Sequence, residues 1–160
     1  MGIWISTRPQ IQTAGILDSR TQEAHITLAY LDKKAYPKED EEQTFTSLKE
    51  WLAGEVRPKR IAAQVHGIAT WIVPQAVERY YLVALVSTGR AVLHRWRADL
   101  VDAIQSAGFH LNEDYPFLPH ITLSHSFAPY TKIPQLDWPV RFSIDNLYIS
   151  RGSRTHEQVW

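Results

Sequence analysis

The stretch AHITLAY, residues 24–30, returns as PHITLSH, residues 119–125. His-Ile-Thr-Leu therefore occurs twice, at His25–Leu28 and at His120–Leu123. The chain's seven histidines and its threonines, scattered at random, give about 0.5 His-x-Thr matches. Two matches sharing all four letters are not explained that way. In an extended strand alternate side chains share a face. His25 and Thr27 then point one way while Ile26 and Leu28 point the other, and His120 and Thr122 are set against Ile121 and Leu123 in the same manner. Each stretch reads as a strand that gives an apolar side to a core and a polar pair to something else.

The surroundings of the two stretches repeat a plan. Before the first, residues 3–8 (IWISTR) alternate like a strand, and 9–23 read as a turn-rich connection. This alternation favours a first strand over the N-myristoylation pattern that Met-Gly-Ile-Trp-Ile-Ser also fits. After it, residues 39–53 read as a helix. Acidic residues open it, Phe45, Leu48, Trp51 and Leu52 form its apolar stripe, and Gly54 follows. In the second half, 61–73 and 80–86 read as strands, with 74 onwards as the loop between them and Gly67 marking a bulge. Residues 89–107 read as a helix with Leu93, Trp96, Leu100 and Ile104 on one side and Gly108 as its stop. The second His-Ile-Thr-Leu strand follows at 119–127, and 140–150 reads as a last strand. The expectation is an α+β chain, residues 1–160 as a single domain of two similar lobes. Mainly antiparallel sheets face each other and helices lie outside.

Composition narrows the function classes. Hydrophobic residues make up 44% and charged residues 21%, with 17 Lys and Arg balancing 17 Asp and Glu. That is the make-up of a globular protein. The zero net charge argues against a protein that grips long nucleic acid by its phosphates. RPKR at 57–60 and RGSR at 151–154 are short enough to be solvated loop charges. No apolar run reaches the ~20 residues of a membrane span, and no secretory signal is evident. There is no cysteine, which excludes disulfides, thiolate nucleophiles and cysteine-ligated metals, and fits a cytoplasmic location.

Two histidines and two threonines form a coherent chemical set. Imidazole titrates near ~6.5, so one ring can accept a proton while the other donates one. Threonine hydroxyls can donate hydrogen bonds to oxygens that gain charge in a transition state. The set suits phosphodiester cleavage without metal or cofactor. Zinc is the rival reading for paired histidines, and no third ligand stands at a convincing spacing. A carbonyl reaction would call for a serine or cysteine elbow, which neither stretch supplies.

The doubled His-x-Thr-x, with proline before the second copy, resembles the signature of the 2H phosphoesterase superfamily. The resemblance implies a bilobal, pseudo-two-fold α+β fold with His25, Thr27, His120 and Thr122 in a central cleft. It implies a metal-independent phosphodiesterase in which one histidine is base and the other acid, with the threonines on the non-bridging phosphate oxygens. Branches of this family work on RNA ends (2′-5′ RNA ligase-like), on 2′,3′-cyclic phosphates, and, in phage anti-CBASS enzymes, on cyclic di- and trinucleotide immune signals. The short chain and the lack of a basic track favour a small cyclic oligonucleotide, with short RNA ends as the other class of partner. A nucleotide-binding module without catalysis is the reading from another class.

Three further residues are candidates for holding substrate. Trp71 can stack on a base or belong to the core. Tyr115, in DYPFLPH, can form a rim, with Phe117 as a core plug. Arg8, expected on one face with Trp4 and Ser6, can reach a phosphate or stay solvated. In a regular strand His125 turns away from His120 and Thr122. His66, His94, His110 and His156 match no motif.

Overall fold

A computed structural model describes residues 2–9, 24–73, 79–133, 135 and 139–160. The expected connection at 10–23 and the hairpin loop at 74–78 lie outside them. The strands are β1 (Ile3–Thr7), β2 (Ile26–Leu31), β3 (Ile61–Val73), β4 (Arg79–Thr88), β5 (Leu111–Asn112), β6 (His120–Ser126), β7 (Val140–Ile144), β8 (Tyr148–Arg151) and β9 (Thr155–Gln158). The helices are α1 (Glu41–Glu55) and α2 (Val92–Ser106), each preceded by a 3-10 turn. Two antiparallel sheets result, a five-stranded one in the order β5-β2-β1-β8-β9 and a four-stranded one in the order β6-β4-β3-β7.

Both helices form where the apolar stripes predict. Phe45, Leu48 and Leu52 of α1 are buried, as are Leu93, Trp96, Leu100 and Ile104 of α2. These side chains join Ile3, Ile5, Ile26 and Leu28 of one sheet, and Leu82, Ala84, Ile121 and Leu123 of the other, in one hydrophobic cluster. Ion pairs Arg151–Glu42 and Lys49–Glu157 tie α1 to β8 and β9. Helix α2 packs along β4 and ends at Gly108, whose φ of +94° suits glycine.

Three expectations on topology are corrected. The lobes do not follow the sequence halves, because β5, β8 and β9 join the strands of the first half in the five-stranded sheet. The single last strand at 140–150 is two strands in different sheets: β7 pairs with β3, and β8 with β1. Asn146 stands at this crossing. Its Oδ1 accepts from the Thr7 hydroxyl (3.1 Å) and the Arg8 N–H (2.7 Å), and its Nδ2 donates to the Arg8 carbonyl (2.8 Å). Backbone groups at the end of β1 are thus satisfied by a side chain from the crossing instead of a strand. Third, the second helix is regular only from Val92, because Arg90 and Ala91 take left-handed φ of 54° and 52°. The Thr88 hydroxyl accepts the Leu93 N–H at 3.0 Å across that turn.

Candidate functional site

The two His-Ile-Thr-Leu stretches end up beside one another, since β2 and β6 pack together although they belong to different sheets. The alternation read from sequence is present in both. Ile26 and Leu28 are 0% and 2% exposed, Ile121 and Leu123 0% and 1%, while His25, Thr27, His120 and Thr122 are half-buried. His25 falls just before β2, and His120 opens β6.

Both copies also contain the same irregularity. In β2, Thr27 pairs with Ser6 and Ala29 with Ile5, so Leu28 is the extra residue of a bulge. In β6, Thr122 pairs with Val83 and Ser124 with Leu82, so Leu123 is the extra residue. A bulge bends its strand and sharpens the local twist. Each motif therefore bends at its leucine, directly after its threonine. The Leu28 carbonyl is taken by the Arg97 guanidinium of α2 at 3.0 Å. That guanidinium also lies over the Phe117 ring, 5.1 Å from its centroid, and His94 meets the same ring edge-on. One arginine thus braces the first motif and the loop that leads into the second. Phe117, read as a core plug, is half-buried and packs against the edge of the core.

His120 has the best-defined surroundings. Its Nδ1 is 2.7 Å from the Leu118 carbonyl. A carbonyl only accepts, so Nδ1 carries the proton and Nε2 is the nitrogen left for chemistry. Pro119 supports this contact. It confines Leu118 to extended backbone, while its own carbonyl accepts the Val86 N–H at 3.0 Å. Burial pushes the His120 imidazole below its ordinary value of 6.5, and the bond to Leu118 opposes that only in part. The neutral form is favoured.

Trp71 meets the second motif directly. Its ring is 4.3 Å from the His120 ring in an edge-on contact. Arg8 lies just past β1 with its guanidinium 4.3 Å over the Tyr148 ring. Tyr148 pairs with Ser6, which pairs in turn with Thr27, so Arg8 stands on the flank of the first motif. Tyr115, 81% exposed, sits in the loop between β5 and β6 and is not brought onto either motif. Gly67 does adjoin a bulge, at His66.

The reading of His125 is corrected. The bulge at Leu123 shifts the phase of β6, so that Tyr81 pairs with His125 as Val83 pairs with Thr122 and Leu85 with His120. Odd-numbered residues of β4 share one face, so His125 lies on the side of His120 and Thr122. The Tyr81 and His125 rings are 6.1 Å apart. A bulge in HITLSHS has no glycine to announce it, and the apolar run of β4 hides which side Tyr81 takes. Among the described residues, no three His, Asp or Glu side chains come together to hold a metal ion, and no helix is long and apolar enough to cross a membrane.

No protein-family model and no curated protein matches the sequence. Solved structures do match. One described as a phosphoesterase superposes with a TM-score of 0.62 at 16% identity, over 98% of this chain and 92% of that one. TT0787 of Thermus thermophilus gives 0.59 at 16% identity over 100% and 96%. Escherichia coli LigT complexed with 3′-AMP gives 0.59 at 18% identity over 98% and 94%. The architecture is the two-sheet α+β fold of the LigT-like 2H phosphoesterases. At such identities the likeness is one of fold.

Proposed function

We propose that the chain is a phosphodiesterase of the 2H type that cleaves a small, cyclic oligonucleotide. The observation that carries this is the packing together of two bulged His-Ile-Thr-Leu strands from different sheets, each presenting a histidine and a threonine. The shared fold with phosphoesterase structures supports it.

The roles follow from the proton inventory. His120, protonated on Nδ1 and shifted towards neutrality, is suited to be the base through Nε2. His25 is then the acid. On a 3′,5′-linked ring, a ribose 2′-hydroxyl attacks the adjacent phosphorus and gives its proton to His120. The P–O5′ bond breaks, and the leaving oxygen takes a proton from the His25 imidazolium. A 2′,3′-cyclic phosphate results. In the second step water gives a proton to His25 and attacks phosphorus, while His120 returns its proton to the leaving ribose oxygen. Both rings regain their starting states. The Thr27 and Thr122 hydroxyls donate to the non-bridging oxygens as charge builds there. Arg8 and Trp71 are suited to hold phosphate and base.

A second reading, action on 2′,3′-cyclic phosphates or 2′-5′ linkages at nucleotide or RNA ends, is favoured by the 3′-AMP bound to LigT. Incubation with 3′,3′-cyclic GMP–AMP and, separately, 2′,3′-cyclic AMP in EDTA, with products resolved by mass, decides between them. Cleavage of the dinucleotide by the wild type and not by the His25→Ala/His120→Ala variant is the expected result. Turnover of 2′,3′-cyclic AMP alone moves the assignment to the second reading. Stoichiometric binding of either compound with no turnover would make the chain a binding module.

A further inference from the structure

The face of the four-stranded sheet that carries His120 and Thr122 continues past them. One row along is Tyr81, paired with Trp71 on one side and His125 on the other. The next residue of this face on β4 is Arg79, whose guanidinium lies 5.1 Å over the Phe127 ring, and Phe127 is 57% exposed. Three residues with ring side chains, one from each of three neighbouring strands, thus stand in one row of the sheet, and each is half-buried rather than sealed in the core. The hydrophobic cluster uses the other face of β4, through Leu82, Ala84 and Val86. On the row's own face Val83 is also fully buried, but Trp71, Tyr81 and His125 keep part of their surface open.

We infer that Trp71, Tyr81 and His125 form a stacking wall for the nucleobase joined to a phosphate held at His120 and Thr122. This rests on reading the paired motifs as phosphate-handling groups. Two observations on the placement carry it. Trp71 touches the His120 ring, so the wall begins at the reacting position itself. Tyr81 lies two residues along β4 from Val83, the partner of Thr122, a rise of about 7 Å. A ribose can bridge that step from phosphate to base. The chemistry of the wall also selects its ligand. Indole, phenol and imidazole each offer a flat face and a polar edge. Such a surface suits a heteroaromatic base, which stacks and hydrogen-bonds at once, better than an aliphatic group.

Calorimetric titration with 3′-AMP and with ribose 5-phosphate, which has no base, tests the wall on the full chain. The wild type should bind 3′-AMP more tightly. Tyr81→Leu and His125→Ala should each weaken 3′-AMP by about tenfold and leave ribose 5-phosphate unchanged. Tyr81→Phe, which keeps the ring, should retain most of the affinity, and thermal melts establish that each variant is folded. Unchanged 3′-AMP binding in folded Tyr81→Leu and His125→Ala overturns the wall, as does an equal loss for both ligands. A wild type that binds both ligands equally overturns the wall and leaves the phosphate site standing. A wild type that binds neither removes both.

Discussion

Arg97→Met removes one brace shared by both motifs, and its cost can be worked from the contacts. The guanidinium donates to the Leu28 carbonyl at 3.0 Å and lies 5.1 Å from the centre of the Phe117 ring. A charged hydrogen bond to a carbonyl contributes about 1.5–3 kcal/mol, and a partly exposed cation–π contact about 0.5–1 kcal/mol. Methionine keeps the aliphatic bulk of a half-buried arginine, so little packing is lost. Because Arg97 is partly solvated, the lower end of the range applies, giving a destabilisation of about 2 kcal/mol. For a chain of this size each kcal/mol lowers the melting temperature by roughly 2–4 °C. A fall of about 4–8 °C is expected.

The assay is urea unfolding followed by tryptophan fluorescence, with Arg97→Lys in parallel. Lysine keeps the charge and loses the planar fork, so it should fall between the wild type and methionine. A loss below about 0.5 kcal/mol for methionine, the level of an ordinary surface substitution, would refute the reasoning. So would a lysine variant as weak as methionine, because the effect would then come from shape and not from the donated bond.

Asn146→Ala removes the side chain that bonds the fully buried Thr7 hydroxyl and two backbone groups of Arg8. It should cost about 1–3 kcal/mol in the same unfolding assay. Gly108→Ala forces a side chain onto φ of +94° with open space around it. The cost should be about 1–2 kcal/mol of backbone strain and nothing more. Because the folded His120 is shifted below 6.5, its contribution to stability is whole above pH 6.5 and is lost as pH falls through the lowered value. Unfolding free energies of the wild type and His120→Gln should therefore diverge least in acid and most above pH 6.5.

Much of the fold was legible because burial imposes periodicity. The stripes of α1 and α2 and the alternation of both His-Ile-Thr-Leu strands are local patterns, and each is found where it was expected. What the pattern could not carry is the pairing of strands. Within residues 140–150 the alternation itself breaks, since the buried positions Phe142 and Ile144 resume out of phase at Leu147 and Ile149 across Asp145-Asn146. That break does not tell which sheet takes each piece, because β3, β1 and the partners of Asn146 lie far away in sequence. The phase of His125 was hidden for a related reason. A bulge is a property of two paired strands, and in β6 its extra residue is a buried leucine like any other.

The two motifs are alike in letters and in their bulges, yet they differ in the residue that leads into each histidine. Proline precedes His120 and alanine precedes His25. Pro119 limits Leu118 to extended backbone and so holds its carbonyl at the His120 Nδ1. Pro119→Ala should lower stability by only about 0.4–1 kcal/mol, through a looser unfolded chain. On the proposed mechanism its effect on chemistry should be larger in kind. With the carbonyl less firmly placed, neutral His120 divides between two tautomers, and only the one protonated on Nδ1 presents Nε2 as a base. Turnover should fall while KM stays near the wild-type value. The bond to Leu118 raises the His120 pKa, so weakening it should move the acid limb of the rate profile to lower pH. An acid limb that moves to higher pH, or turnover equal to wild type in the folded variant, would assign the base to His25 and the asymmetry between the motifs to something other than this proline.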